Sequence, residues 1–368
     1  MIKSRIAILD GFRALAILSV MLFHFFVRWA PPLNEISLYP YKNSYKFFDL
    51  GYLGVQFFFI ISGFVIFFTL DTTTQFNSFW KKRLIRLLPS MAIASLITFT
   101  IFILFDFSFL FPSSHRAYNF IPSITFIRPE LFNRFGVSFN YINGSYWSLW
   151  PEIQFYLFSS IIYYINKDKF IRNYLFISIL LIIVNYIFQN IQGSNKLNLD
   201  LPANILIGYS NWIQGGFNLI TFLPFFSIGV LFYLLFKNRQ CDNKTSLFVK
   251  LYLSIFLIYI LYSGIHLPVR IVYLIMFLLF FCFIYFPDKL KIFEKKGLTN
   301  IGESSYFLYL IHENIGILMI YSIGKYFSPF SFVFTFLVII VLIIFSNIYT
   351  IKIDKKINKW LKFMIIKH

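Results

Sequence analysis

Residues 9 to 24 read LDGFRALAILSVMLFH, an apolar stretch typical of a membrane helix that nevertheless contains Asp10, Arg13 and His24. An Arg or Asp at the middle of a membrane helix costs about 2.5 to 3.5 kcal/mol, so such groups predict a functional site that faces protein or a watery cavity. Arg13 and His24 are eleven residues apart. On a helix this is about three turns, roughly 16 Å, at nearly the same angular position. The stripe places a cation near one membrane face and a titratable base near the other, and Asp10 is close enough to pair with Arg13.

The composition predicts a polytopic membrane protein. Of 368 residues, 58% are hydrophobic and 13% charged, a balance that a soluble domain of this length could not cover with polar surface. Apolar runs long enough to span a bilayer predict an all-α bundle of about ten transmembrane helices in one domain, residues 1 to 368. The runs lie near residues 6 to 28, 51 to 70, 90 to 112, 146 to 165, 172 to 191, 217 to 236, 248 to 265, 269 to 287, 301 to 322 and 328 to 351.

The distribution of Lys and Arg predicts the orientation of the chain. With the amino terminus in the cytoplasm, 23 of the 33 basic residues fall in inner segments, as the positive-inside rule requires. Ten spans then put both termini in the cytoplasm, and we expect the plasma (inner) membrane of a bacterium. The net charge of +18 indicates orientation and contact with anionic membrane lipid rather than binding of nucleic acid. Two cysteines, Cys241 and Cys282, predict no disulfide framework and no metal site.

Three further segments contain candidate functional residues. In KKRLIRLLP (residues 81 to 89), Arg83 and Arg86 would share one face of a helix, where they either bind phosphates or anchor the topology. In GSYWSLWPEIQFYL (144 to 157), Glu152 would lie at the outward depth of His24. It would then either support that base or act only as an acid favoured at a helix amino terminus. His312 lies midway along the ninth predicted span, where it is either functional or a hydrogen-bonding partner of a neighbouring helix.

The two longest loops, near residues 29 to 50 and 113 to 145, are predicted on the outer side. They contain aromatic and charged residues. They either cover a binding site for an acceptor substrate or pack without a function of their own.

These segments, in this order, resemble the acyltransferase-3 family of integral-membrane acyltransferases, whose bacterial members acylate sugars of surface polysaccharides, lipopolysaccharide or peptidoglycan. The opening stretch resembles the family's first motif through the arginine and histidine eleven residues apart. FFFIISGFVI and KKRLIRLLP resemble its second-helix motif and its Arg-x-x-Arg loop. WSLWPEIQFY and SYFLYLIH resemble its WSL-x-x-E and Ser-Tyr-x-Leu-Tyr-x-x-His motifs. The residues that carry the resemblance are Arg13, His24, Ser62, Gly63, Arg83, Arg86, Trp147, Ser148, Glu152, Tyr306 and His312.

The resemblance implies transfer of an acyl group, most often acetyl from acetyl-CoA, to a hydroxyl of a surface or lipid-linked glycan. His24 would act as a general base or carry the acyl group covalently, Glu152 would support it, and Arg13 would neutralise charge along the donor channel or stabilise an oxyanion. Some relatives append a soluble SGNH-type esterase domain, which is not expected here. The implied donor-binding residues are Lys82, Arg83, Arg86 and Ser62, and the implied substrate-binding or supporting residues are Asp10, Trp147, Ser148, Tyr306 and His312.

The alternative function is a transporter or flippase for a lipid-linked sugar, because charged residues inside a membrane also line transport paths. Its signature would be paired interrupted helices at corresponding positions of two halves. The sequence does not contain this pattern.

Overall fold

The structure is a computed structural model that describes residues 2–30, 45–133, 136–194, 202–241, 247–327 and 330–366. Within these residues all regular elements are helical, and ten helices of 17 to 30 residues form a bundle. An eleventh, shorter helix follows them. In chain order they are α1 Ile2–Phe23, α2 Gly54–Asp71, α3 Phe76–Phe105, α4 Leu149–Ile165, α5 Phe170–Ser194, α6 Leu219–Gln240, α7 Leu247–Ser263, α8 Leu267–Tyr285, α9 Lys296–Gly324, α10 Ser331–Tyr349 and α11 Lys355–Ile366.

Short helical segments extend or connect the long helices. The π-helical ones are His24–Arg28, Ser210–Gln214 and Thr350–Asp354. The α-helical ones are Phe120–Thr125, Pro129–Phe132 and Ala203–Tyr209. The 3-10 helices are Lys46–Leu53, Pro112–His115, Ala117–Asn119, Gly144–Ser148, Pro287–Glu294 and Lys325–Phe327.

The prediction of an all-α polytopic membrane bundle is confirmed. Each of the ten predicted spans overlaps one of the helices α1 to α10. Eight candidate spans among the described residues have the length and apolar composition to cross a bilayer. The other two helices, α4 and α7, have 17 residues each, about 25 Å of helix against a hydrocarbon core of about 30 Å. Residues 31–44 of the first long loop lie outside the described part of the chain.

The third helix corrects the predicted span of residues 90 to 112. It begins at Phe76 and ends at Phe105, so the segment KKRLIRLLP is helical and Pro89 lies within the helix. The apolar pattern placed the start too late because four basic residues occupy these turns. The helix ends before Asp106, whose carboxylate accepts hydrogen bonds from the backbone N–H groups of Leu110 (3.0 Å) and Phe111 (3.3 Å).

The centre of the bundle is closely packed, because small residues let helix backbones approach each other. A Cβ added at Gly63 of α2 would collide with the Phe226 carbonyl of α6, and one added at Gly229 would collide with the Ile60 carbonyl of α2. Aromatic rings fill the neighbouring space: the Phe155 and Phe226 rings stack at 4.2 Å. This packing fixes the second helix, and with it Ser62, against its neighbours.

The two ends of the bundle differ in chemistry. The basic face, as we call the end where α1 begins, contains Lys82 and Lys362. At the opposite face, the segment formed by residues 112–133 and 136–148 is tied to α9 by hydrogen bonds from Asn314 to Ser114 (2.9 Å) and from Asn143 to the Leu310 carbonyl (3.0 Å). This segment is therefore fixed at the level of His312 on α9.

Candidate active site

Three arginines come together on the side of the basic face. Arg13 on α1 pairs with Asp10 at 2.8 Å, as predicted, and both side chains are less than one-fifth exposed. Arg83 on α3 is buried, donates a hydrogen bond to Thr69 and lies over the Tyr156 ring. Arg86 follows one turn later and lines the same cavities as the other two arginines. These three side chains line the same two cavities, and we call them the arginine ring; Arg83 is buried, whereas Arg86 is exposed.

Glu152 lies beside this ring, not beside His24. One of its oxygens accepts hydrogen bonds from the hydroxyls of Ser62 and Tyr156, each at 2.5 Å, and it lines a cavity together with Arg83. The expectation that Glu152 pairs with His24 at equal depth is therefore wrong in geometry. The depths of His24 and Glu152 were predicted by counting turns along each helix, and this takes no account of how the two helices are staggered.

A different set of groups surrounds His24. Its Nδ1 lies 3.0 Å from Nε2 of His312 on α9, with the two rings nearly parallel. The same Nδ1 lies 3.7 Å from Oε1 of Glu313, an oxygen that also accepts a hydrogen bond from the Trp29 indole N–H at 3.1 Å. Arg28 lies 3.8 Å from the same oxygen. An acid therefore does lie within ion-pair range of His24, and it comes from the ninth helix.

The hydrogen bonds fix which nitrogens carry protons. His312 Nδ1 lies 2.8 Å from the Tyr309 carbonyl oxygen, and because a carbonyl only accepts, this Nδ1 carries the proton. In the neutral ring, Nε2 of His312 then accepts the hydrogen bond that Nδ1–H of His24 donates. The remaining lone pair of His24 is on Nε2. His24 has the tautomer that a general base needs, and Glu313 can stabilise its protonated form.

A local change in helix geometry places His24. The first helix is α-helical up to Phe23 and becomes π-helical over His24–Arg28. Such single wide turns are frequently found at functional sites because they turn side chains away from their α-helical positions. His24 is the first residue of the wide turn, and Arg28 is the last.

The other predicted residues lie between the two groups or beside them. The Tyr309 hydroxyl donates to the Ser145 carbonyl (2.9 Å), so it accepts the hydrogen bond of Ser148 (2.8 Å). The Tyr306 hydroxyl donates to the Leu87 carbonyl (3.1 Å) on α3. Lys82 donates to the Thr73 hydroxyl (3.1 Å) at the basic face. Trp147 is 40% exposed at the opposite face.

Two adjoining cavities lead inward from the basic face. The entry cavity, of about 660 Å³, contains Asp10 and Lys82 in its wall. It shares the arginines 13, 83 and 86 with a much smaller cavity of about 80 Å³, the neck. The neck is also lined by Ser62, Ser148, Glu152, Tyr156, Tyr306 and Tyr309.

Two further cavities continue to the opposite face. The histidine cavity, of about 500 Å³, shares Val55 and Tyr309 with the neck and contains His24 and Glu313. It shares Trp147 with the loop cavity, of about 350 Å³, which is lined by residues between 113 and 133, by residues between 139 and 147, and by Asn218. The four cavities adjoin one another from one face of the bundle to the other.

Several residues of this site were not predicted from the sequence, among them Glu313, Tyr309 and Trp29. Glu313 is buried inside the membrane bundle next to His312, and an acid inside a predicted span was itself a sufficient signal. Tyr309 belongs to the same helical face as His312, three residues away. Nothing in the sequence pointed to Trp29, because its contact with Glu313 joins residues 284 positions apart.

The sequence of the chain is similar to that of an acyltransferase family and of individual bacterial proteins. The Acyl_transf_3 family model, described as an acyltransferase domain, matches residues 6–350. The chain is 31% identical over 160 residues to the "Putative peptidoglycan O-acetyltransferase YrhL" of Bacillus subtilis (strain 168), a match that covers 40% of this chain and 22% of that protein. It is 28% identical over 164 residues to a "Putative O-acetyltransferase" of Staphylococcus aureus (strain COL), covering 42% of this chain and 24% of that protein.

The matched segments therefore amount to less than a quarter of the length of these curated relatives. No solved structure matches the chain. The family match, by contrast, covers nearly the whole sequence and includes both the arginine ring and the histidine pair. The chain belongs to the acyltransferase-3 family of integral-membrane acyltransferases.

Proposed function

We propose that this chain is a transmembrane O-acyltransferase that moves an acyl group, most simply acetyl, from cytoplasmic acyl-CoA to a hydroxyl of a glycan on the outer side of the plasma membrane. One observation carries the proposal. A run of adjoining cavities joins a ring of three arginines at the basic face to a histidine with a free Nε2 lone pair near the opposite face.

The basic face is proposed to be cytoplasmic, because basic residues are concentrated at this end of the chain's spans. Acyl-CoA is an anionic donor that occurs in the cytoplasm. Arg83, Arg86 and Lys82 would bind its phosphates through charge-assisted hydrogen bonds, and Arg13 would add to the positive potential at the neck. The pantetheine arm, which is slender, would pass the neck beside Ser62 and bring the thioester toward His24.

In the proposed reaction, Nε2 of His24 takes the proton of the acceptor hydroxyl as its oxygen attacks the thioester carbonyl. The carbon–sulfur bond then breaks, and the leaving thiolate takes the proton from His24, which gives free CoA and the acylated acceptor. Glu313 stabilises the transient positive charge of His24, and His312 holds its ring. In the covalent alternative, the acyl group is first transferred to Nε2.

The acceptor is proposed to enter through the loop cavity. The exposed indole face of Trp147 can pack against the apolar C–H face of a sugar ring. The side-chain oxygen of Asn218 is buried and has no partner within the described residues, so it can accept a hydrogen bond from a sugar hydroxyl. The Tyr141 hydroxyl at this cavity donates to the Phe126 carbonyl (3.2 Å), so its oxygen can accept a hydrogen bond from a sugar hydroxyl. A relative named for O-acetylation of peptidoglycan supports a glycan acceptor.

The experiment uses purified protein in detergent and acetyl-CoA labelled in the acetyl group. We expect saturable binding of acetyl-CoA and slow release of free CoA. Mass spectrometry of cell-envelope glycans from cells with and without the protein then identifies the acceptor and the acyl group. A flippase for a lipid-linked sugar should neither bind nor consume acetyl-CoA, so absence of both signals from folded protein would replace the acyltransferase proposal.

A further inference from the structure

The wall of the entry cavity includes a segment that the family match does not cover. The match ends at residue 350, whereas α11 begins at Lys355 and contributes Lys355, Asn358 and Lys362 to the cavity. These positions lie on one face of the helix, as their spacing of three and four residues requires. Trp360 and Phe363, on other faces, are about 60% exposed.

Contacts at both ends of α11 hold it in place. Ser90 on α3 donates to Asp354 at 2.7 Å, just before the helix begins. Lys355 forms an ion pair with Glu303 of α9 at 2.7 Å. Near the other end of α11, Lys81 donates to the Ile365 carbonyl at 3.0 Å. The helix is therefore a fixed wall of the entry cavity.

Some cationic side chains of the entry cavity have no acidic partner and are therefore available to bind an anionic ligand. Its lining contains six cationic and three acidic side chains. Asp10 pairs with Arg13, Glu303 pairs with Lys355, and Asp354 accepts from Ser90 and Asn358. Within the described part of the chain, neither Arg86 nor Lys362 has a carboxylate in ion-pair range. An anionic ligand would thus meet cations without acidic partners on two sides of this cavity.

The arginines and Lys362 lie at different depths in the entry cavity, so they would meet different phosphates of acyl-CoA. The arginines 13, 83 and 86 line both the neck and the entry cavity, so they mark its inner end. Lys362 lines only the entry cavity. In acyl-CoA the pantetheine arm is attached to the diphosphate, and the 3′-phosphate lies beyond it on the ribose. A donor with its arm in the neck would place the diphosphate at the arginines and the 3′-phosphate farther out.

We infer that Lys362 on α11 binds the 3′-phosphate of the donor nucleotide, an inference that rests on the proposed function. The helix outside the family match would then serve to distinguish CoA from its 3′-dephosphorylated form. Because Lys362 is exposed, its bond to the phosphate is partly screened by solvent.

The experiment measures binding of CoA and of 3′-dephospho-CoA to the purified full-length chain by calorimetry, in a neutral detergent without anionic lipid. We expect the wild-type chain to bind CoA more tightly than dephospho-CoA. Lys362→Gln should weaken CoA binding about threefold to tenfold and leave dephospho-CoA binding unchanged. Lys362→Arg should keep the preference. Lys359→Gln, on the same helix but outside the cavity wall, is the matched control and should keep it too.

The outcomes separate the two proposals. If the wild-type chain binds both nucleotides equally, or if Lys362→Gln retains the full preference for CoA, Lys362 does not bind the 3′-phosphate, and the acyltransferase proposal is unaffected. If folded wild-type chain binds neither nucleotide, the proposed function fails and this inference fails with it.

Discussion

The imidazoles of His24 and His312 lie 3.0 Å apart and nearly parallel, Nδ1 to Nε2. The Tyr309 carbonyl accepts a hydrogen bond from Nδ1–H of His312. Nε2 of His312 is therefore the acceptor, and His24 is the donor, of the hydrogen bond between the two rings. His312 is thus a positioning residue: it determines which nitrogen of His24 has the lone pair. Two histidines in different predicted spans, His24 and His312, thus form one unit in the folded chain.

We expect His24→Ala to abolish acyl transfer while the bundle remains folded. The imidazole of His24 lines the histidine cavity, and the described contacts leave the lone pair on its Nε2 open. Glycan acylation in cells measures transfer, and the melting temperature of purified protein measures folding. His266→Ala, at an exposed residue just before α8 that lines none of the four cavities, is the control and should keep full activity. Full activity of His24→Ala would remove this residue from the mechanism.

We expect Glu313→Gln to lower turnover by about 10²-fold or more, the range for a group that supports acid–base catalysis. The amide keeps an oxygen that can accept from Trp29 but removes the negative charge 3.7 Å from His24. Turnover of acetyl-CoA measures the effect. Binding of acetyl-CoA is the internal control and should stay near wild type, because the arginine ring is distant from this change. Normal turnover would mean that Glu313 only holds the ring and indole in place.

Glu152→Gln distinguishes the two positions considered for this acid. Because Glu152 contacts Ser62 and Tyr156 and not His24, we expect the acidic limb of the pH–rate profile to stay where it is in the wild-type enzyme. The melting temperature should fall, since an amide oxygen is a weaker acceptor for these two hydroxyls than a carboxylate. A displaced acidic limb would show instead that Glu152 reaches His24 during turnover.

Much of the fold could be predicted because the bilayer imposes a length and a composition on each span. The predicted boundary failed at α3, where Arg83 and Arg86 turn inward to a cavity and so interrupt the apolar run without ending the helix. A hydropathy pattern cannot distinguish a charge that faces an internal cavity from one that faces water.

The sequence predicted many residues of the site correctly, but it predicted less well which of these residues contact each other. The stripe of Arg13 and His24 does connect the two groups of polar residues, and Asp10 does pair with Arg13. The sequence wrongly predicted Glu152 as the acid beside His24. The relative depth of residues on different helices depends on helix stagger and tilt, which the sequence does not show. The adjacent pair His312 and Glu313 carried a signal of its own, two ionisable groups inside one span.

We expect Arg86→Gln to weaken acetyl-CoA binding about threefold to tenfold, because Arg86 is exposed and its bond to a phosphate is partly screened by solvent. Arg86 lines both the entry cavity and the neck, and it has no acidic partner there within the described residues. Calorimetry on purified protein measures the loss. Lys169→Gln, an exposed change at another helix end, is the control for net charge and should bind normally. Unchanged affinity combined with inverted or degraded protein would instead identify Arg86 as a topology anchor.

The last prediction concerns the close approach of α2 and α6 at Gly63. A methyl group there would collide with the Phe226 carbonyl and lie 3.2 Å from Cα of Gly229, and neither is a side-chain atom that can rotate away. We therefore expect Gly63→Ala to destabilise the protein by about 1 to 3 kcal/mol, as overpacking of a filled interior does. The melting temperature of the purified protein in detergent measures this loss.

The same change tests how helix packing serves the site. Ser62 precedes Gly63 and donates to Glu152 in the neck, so moving α2 outward should also weaken acetyl-CoA binding. Gly208→Ala is the matched control, because a Cβ there has no heavy atom within 4 Å. It should leave stability equal or slightly higher, since alanine restricts the unfolded chain more than glycine does. If Gly63→Ala melts and binds acetyl-CoA like Gly208→Ala, the approach of the two backbones is looser than the structure shows, and Ser62 does not depend on it.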